Sequence, residues 1–256
     1  MKLAFKIQYK GTNYSGFQSQ KNANSIQDEL IRAFKGISVD NPQMNYSGRT
    51  DKGVHALGQV FDIVVTKDRS DMQWINGLNS NLPNDISVVD IDRVEDSFHS
   101  RFDAIDRTYS YLIFNSPSRN VLLDDFYYWE QAELDINKMN QESKCLIGKH
   151  DFTSFRSLSC GSNNPERNLK KIVINKLGDI IEIKITANAF LQNMVRIIVG
   201  TLLEIGKYQI KISLKEILES KDRNNAGTTI NPRGLIFLGP SYENITKLKP
   251  EKSPLI

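Results

Sequence analysis

The chain has 256 residues and a mass of 29.2 kDa, which suits one or two domains, and its 39% hydrophobic and 25% charged content supports a packed core rather than disorder. The net charge of +3 hides an uneven distribution: residues 1–60 carry 8 basic and 4 acidic side chains, 61–135 carry 6 and 15, and 136–256 carry 19 and 11. Two basic thirds around an acidic middle permit an anionic partner, and no run approaches the roughly 18 apolar residues of a membrane helix. The most apolar stretch, 189–205, is interrupted by Gln192, Asn193, Arg196 and Glu204. The opening MKLAFKIQYK alternates charged and apolar residues, so neither a signal nor a transit peptide is expected there. Cys145 and Cys160 show no CxxC spacing, which points to a reduced, cytoplasmic chain, and the three histidines show no zinc-ligand spacing.

In chain order, Leu3, Phe5, Ile7 and Tyr9 alternate with Lys2, Lys6, Gln8 and Lys10, predicting a strand with one apolar and one basic face. GTNYSGFQSQ reads as a loop. Ser25, with Asp28 as its capping-box partner, caps a helix whose apolar stripe is Ile26, Leu30, Ala33, Phe34 and Ile37. A strand over 58–65, a helix opened by Ser70 and Gln73, and a strand over 86–91 complete a β-α-β-α-β order. The second part begins with a strand at 107–114, then a helix over about 136–147 ended by Gly148. Strands at 171–176 and 180–186 meet at the turn KLGD, and a buried helix is predicted over 189–205. A helix at 214–220 follows with a Ser213/Glu216 capping box, then a strand at 235–238. The polar tail after Gly239 is expected to be loosely held. The pattern predicts an α+β protein of two comparable α/β-layered halves, 1–105 and 106–256, without a visible sequence repeat.

Four segments carry chemistry. In YSGRTDKGVHALGQV, Arg49, Thr50, Asp51, Lys52 and His55 crowd between glycines before a strand, a setting for a catalytic acid, base or nucleophile. Thr-Asp-Lys-Gly is equally ordinary turn chemistry, and spacing does not choose between the two. On the 189–205 helix, Gln192, Asn193 and Arg196 make a polar stripe, and Gly200 leaves room beside it. A guanidinium there needs an anion, either a structural carboxylate or Asp51, whose pKa it would lower. Tyr109 shares a strand face with Arg107, Tyr111 and Ile113, as a core residue or as a platform for a nucleobase. Finally, GKHDFTSFR and SLSCGSNNPER place Lys149, His150, Arg156 and Arg167 on polar loops, where they are either a solvated face or phosphate contacts. His150-Asp151 also fits a metal-dependent hydrolase, but companion ligands are missing.

SGRTDKGVHALGQV resembles the signature of the TruA family of tRNA pseudouridine synthases, and the resemblance continues in order through QYKGTNYSGFQSQ, SIQDEL, LNSNLPNDI, SFHSRFDA, RTYSYLIFN, KHDFTSF, ANAFLQNMVRIIVG and NPRGLIFL. It implies the pseudouridine synthase fold, with a mixed, mainly antiparallel central sheet. It implies isomerisation of uridines 38, 39 and 40 in the tRNA anticodon stem-loop, by a cytoplasmic homodimer with two RNA clefts and neither metal nor cofactor. By position, Asp51 matches the catalytic aspartate, Tyr109 the tyrosine that stacks on the uracil, and Arg196 the arginine that pairs with the aspartate. Arg49 matches the arginine associated with opening the target nucleotide. Many members have alanine where Lys52 stands and histidines near Gln192 and Asn193. The resemblance further leads us to expect both basic segments to face one RNA cleft. A tRNA-binding or refolding protein with dispensable catalysis is the alternative from a different class.

Overall fold

In the computed structural model, residues 1–40, 42–243 and 245–253 are described. These residues form two compact units, one combining 1–107 with 236–252, the other formed by 108–235 with Ser253. The first contains β1 (Lys2–Tyr9), α1 (Ile26–Gly36), β2 (Asn45–Tyr46), β3 (His55–Val64), α2 (Asp71–Asn79) and β4 (Ile86–Val94). The second contains β5 (Asp106–Asn115), whose first two residues belong to the first unit, and β6 (Tyr128–Glu130). It continues with α3 (Ile136–Ser143), β7 (Gly148–Asp151), β8 (Glu166–Leu177), β9 (Ile180–Ala187), α4 (Met194–Gly206) and α5 (Leu214–Ser220). β10 (Leu235–Ser241) then returns to the first unit.

In the first unit the strand order is β4-β1-β3-β10, with β2 also on β3. β10 runs parallel to β3, and the other pairings are antiparallel. In the second unit the order is β5-β9-β8-β7, with β6 parallel on β5 and β8 antiparallel to both neighbours. The expected α+β class with mixed, mainly antiparallel pairing is what forms. Among the described residues no helix is long and apolar enough to cross a membrane.

Local chemistry opens α1, α2 and α5 where the caps were expected. Ser25 accepts the Asp28 amide at 3.2 Å, and reciprocal capping boxes join Ser70 with Gln73 and Ser213 with Glu216. On the helix side of the first sheet, Phe5 stacks on its cross-strand partner Phe61 at 5.0 Å and meets Phe34 and Trp74 edge-on.

The other side corrects the expected basic face of β1. Lys6 is only 3% exposed. Its Nζ donates to the Lys249 carbonyl at 2.9 Å and pairs with Glu251. Lys2 pairs with the fully buried Asp62 at 3.4 Å. The covering layer comes from residues 240–243 and 245–251, which are therefore not loosely held, while 244 and 254–256 of the expected loose tail lie outside the described residues: Leu248 packs with Ala4, Val60 and Phe98, and Tyr242 stands against Phe98. An ammonium taken out of water needs these oxygen partners.

Other boundaries differ too: β3 and β8 start before the expected 58 and 171, and β4 and β10 run past 91 and 238. α3 ends at Ser143 in a 3-10 turn, and Gly148, with φ +115°, opens β7 rather than ending the helix. Lys149 and His150 are thus on a strand paired with β8, not on a loop. α4 starts only at Met194, because Asn193 is left-handed (φ 61°) and breaks the helical path. Gln192 and Asn193 therefore precede the helix instead of forming a stripe along it.

Candidate active site

In the first unit, the RTD segment is a tight turn held by main-chain bonds. Val54 N–H donates to the Asp51 carbonyl at 3.2 Å, closing a four-residue turn with Gly53 at φ +79°, the third position where a type II turn requires positive φ. The loop between β1 and α1 supports it: Phe17 N–H donates to the Thr50 carbonyl at 3.1 Å, and Gly53 N–H to the Tyr14 carbonyl at 3.3 Å. Gly16 fits this contact for two reasons. Its φ is +100°, and a β-carbon would lie 2.6 Å from the Thr50 carbonyl oxygen. The Tyr9 hydroxyl and Thr50 Oγ1 are 2.8 Å apart, and burial pushes the Tyr9 phenol up, so it stays protonated.

Within this frame Arg49 and Lys52 are exposed, Thr50 is buried and Asp51 is half-buried. The turn that sequence spacing allowed is real, and it presents a half-buried carboxylate on a rigid backbone. His55 is buried, with Nδ1 accepting the Gly11 amide at 3.1 Å.

Arg107 is an anchor that sequence reasoning did not single out. Its Nε and Nη2 both donate to the Ser47 carbonyl at 3.1 Å, its Nη1 donates to Ala104 at 2.8 Å, and Nη2 also meets Arg101. Gln59 grips the same strand end, accepting from Ser47 Oγ and donating to the Gly48 carbonyl, both at 2.7 Å. A planar fork joins three carbonyls as an ammonium does not. Arg107→Lys is expected to cost about 1–3 kcal/mol of stability, the scale of unmet buried acceptors, and to reduce turnover. Urea denaturation with a parallel kcat measurement checks both.

In the second unit, Tyr109 is 7% exposed on β5, its ring edge-on to Phe190 at 5.1 Å. Tyr111, two residues on and fully buried, donates its hydroxyl to the Asn231 carbonyl at 2.6 Å. Burial raises the Tyr111 phenol well above its usual range, and the Arg196 charge opposes that rise.

α4 is buried except at Arg196 and Glu204. Arg196 Nε donates to the Ile230 carbonyl at 2.7 Å, and Nη1 to Asn193 Oδ1 at 2.8 Å. The segment 227–231 lies along the helix. Gly227 N–H donates to Thr201 Oγ1 at 2.9 Å, and Thr228 N–H to Glu204 at 2.8 Å. The room expected beside Gly200 is occupied by this segment: a β-carbon there would overlap the Thr228 carbonyl oxygen.

The polar groups around 148–167 are engaged within the unit. Lys149 pairs with Glu166 at 3.0 Å on an exposed surface, and His150 Nε2 lies 3.0 Å from the Ile147 carbonyl. Arg156 donates to the Ser162 carbonyl at 3.2 Å and Arg167 to Asn164 at 2.9 Å, so both arginines brace the 157–165 loop. Gln192 holds its other end by accepting the Ser157 amide at 3.0 Å. Asp151 accepts from Thr153 at 2.6 Å and pairs with Lys221 at 3.3 Å. Among the described residues no three His, Cys, Asp or Glu side chains cluster as metal ligands would.

A family profile described as tRNA pseudouridine synthase matches residues 6–103 and 143–243. The chain belongs to this family. Its members are isomerases that convert uridine to pseudouridine in tRNA. Individual relatives agree: "tRNA pseudouridine synthase A" of Francisella tularensis subsp. tularensis strain FSC 198 is 42% identical over 238 residues, 93% of this chain and 92% of that one. The protein of the same name from Francisella philomiragia is 43% identical over the same shares. That from Hydrogenovibrio crunogenus is 40% identical over 94% of this chain and 92% of its own. A solved Cbf5-Nop10-Gar1 complex covers 92% of this chain and 58% of its own at a TM-score of 0.35 and 8% identity, too remote to carry an argument. The synthase match includes Arg49, Asp51, Lys149, His150, Arg156, Arg167 and Arg196, whereas Tyr109 lies between its two spans.

Proposed function

We propose that this isomerase acts on uridines 38, 39 and 40 of the tRNA anticodon stem-loop, with Asp51 as the catalytic carboxylate. Tyr109 is the ring that stacks on the target uracil, and Arg196 the cation that keeps Asp51 ionised. The observation that carries this reading is the RTD turn, whose main-chain bonds set a half-buried carboxylate in place, within a chain 42% identical to a named tRNA pseudouridine synthase A.

The reaction breaks the N1–C1′ bond, turns the uracil, joins C5 to C1′ and removes the C5 proton. An ionised Asp51 either attacks C1′ as N1 leaves, forming an ester that C5 later displaces, or takes the C2′ proton as N1 leaves to give a glycal, and returns that proton to C2′ as C5 adds to C1′. Both routes require the deprotonated carboxylate, and a neighbouring guanidinium favours that form. Tyr109 is the group proposed to receive the C5 proton. A stem base must first leave its stack at a cost of a few kcal/mol. Stacking on Tyr109, worth about 1–3 kcal/mol, and phosphate contacts offset that cost. Arg49 is assigned to opening the target nucleotide. Lys149, His150, Arg156 and Arg167 are assigned to the RNA backbone. In this proposal the enzyme is a cytoplasmic homodimer that uses neither metal nor cofactor.

Mapping pseudouridine in tRNA, with and without the purified protein, tests the reaction and the positions together. Conversion at 38–40 is the expected result; conversion elsewhere in tRNA would overturn the assignment of positions. The phosphate role has its own test. Lys149→Ala is expected to reduce the slope of log K against log salt by about one, measured by titrating tRNA binding across salt concentrations. An unchanged slope would place Lys149 outside the RNA footprint.

A further inference from the structure

Asn193 occupies the N-cap of α4, where an asparagine side chain ordinarily accepts from an amide of the first helical turn. Here it makes no such cap. Its carboxamide oxygen instead accepts Arg196 Nη1 at 2.8 Å, one turn along the helix. Reaching back this way goes with the left-handed backbone of Asn193 (φ 61°, ψ 5°), a conformation that asparagine tolerates better than most residues. The guanidinium is thus gripped from two sides, by the Ile230 carbonyl at Nε and by Asn193 at Nη1, which fixes both the rotation and the tilt of its plane. The main chain around Asn193 is held independently of this side chain. Met194 N–H donates to Leu191 at 3.1 Å, Ile197 N–H to Asn193 at 3.0 Å, and Ser157 N–H to Gln192 at 3.0 Å.

We propose that Asn193 is a positioning residue for the isomerisation: its side-chain oxygen sets the pose of the Arg196 guanidinium, in place of capping the helix. This rests on the reading of Arg196 given above. The helix gives up a side-chain cap at its first turn and gains an oriented cation near its start. The carboxamide is neutral, so the grip leaves the full positive charge of Arg196 available to a carboxylate.

Two substitutions separate the oxygen from the backbone. Asn193→Gly keeps a residue suited to positive φ and removes the acceptor, while Asn193→Asp keeps both. For Asn193→Gly we expect melting close to the parent, a kcat lowered about 10–100-fold, the scale of a hydrogen bond to a charged group, and little change in KM for tRNA. Asn193→Asp, whose carboxylate oxygen also grips the guanidinium but draws on its charge, is expected to restore only part of the lost kcat. Parental kcat in Asn193→Gly would overturn the proposal, as would kcat and melting temperature falling together in both variants. Arg196→Ala, assayed alongside, keeps the two readings apart. If it is inactive while Asn193→Gly is fully active, only the positioning role fails; if it is fully active, the reading of Arg196 fails and the positioning role with it.

Discussion

Asp51→Asn is expected to abolish pseudouridine formation while leaving the fold and tRNA binding in place. The substitution is isosteric, and an uncharged amide neither attacks C1′ nor takes a proton from C2′. A loss of ~10³-fold or more is the scale for removing such a group. Main-chain bonds from the Thr50 and Asp51 carbonyls and the Gly53 and Val54 amides hold the turn, and the substitution leaves them in place. Asparagine is also a favoured turn residue, so the loop should keep its shape. Tritium release from C5-labelled tRNA reads the chemistry, and a gel-shift titration reads binding. Turnover near the parental rate would move the chemistry to another residue. Weak binding alongside weak turnover would instead assign Asp51 to holding the RNA.

Gly200→Ala is the structural counterpart, and its expected sign opposes helix propensity. In an open helix the change would stabilise by up to about 1 kcal/mol. In α4 the added methyl would overlap the Thr228 carbonyl oxygen, a main-chain atom that cannot swing away alone. The two amides that precede that carbonyl are pinned, Gly227 by Thr201 and Thr228 by Glu204. Relief requires moving the whole 227–231 segment, a form of overpacking that costs about 1–3 kcal/mol. The same movement carries the Ile230 carbonyl away from Arg196, so kcat should fall together with stability. Chemical denaturation with a parallel turnover assay checks both. A variant as stable as the parent would show that the segment is not seated against α4.

What the sequence made legible was local. The caps at Ser25, Ser70 and Ser213 depend on residues three positions away; Ser70 and Ser213 form reciprocal boxes, while Ser25 accepts the Asp28 amide without the reciprocal bond of the expected box. The alternation of β1 was equally plain, but the fate of its lysine face was decided by residues some 240 positions later, and alternation carries no record of them. β7 escaped notice because Gly-Lys-His-Asp has the composition of a loop and becomes a strand by pairing at the end of a sheet. The start of α4 was placed five residues early because the apolar run continues through Ala189–Leu191 while the left-handed Asn193 interrupts the helix. At the RTD segment, composition admitted both a turn and a catalytic loop, and the backbone shows that the turn is present whichever role Asp51 has. Asp51, Tyr109 and Arg196 stood out as a set through family resemblance rather than spacing. The roles of Arg107, Gly16 and Asn193 were not legible because what they do depends on partners in space.

The covering of Lys6 by residues 247–251 also bears on the order of events at the ribosome. The segment 108–235 emerges whole before β10 and the covering strap exist, so the second unit has nearly all of its chain in hand first. The first unit, although synthesised earliest, waits for its last strand and for the oxygens that receive the Lys6 ammonium. Until then the Ala4–Val60 side of its sheet stays uncovered, a surface suited to chaperone capture. Loss of a dozen residues from the end of the chain would therefore strike the domain made first, the one that carries Asp51.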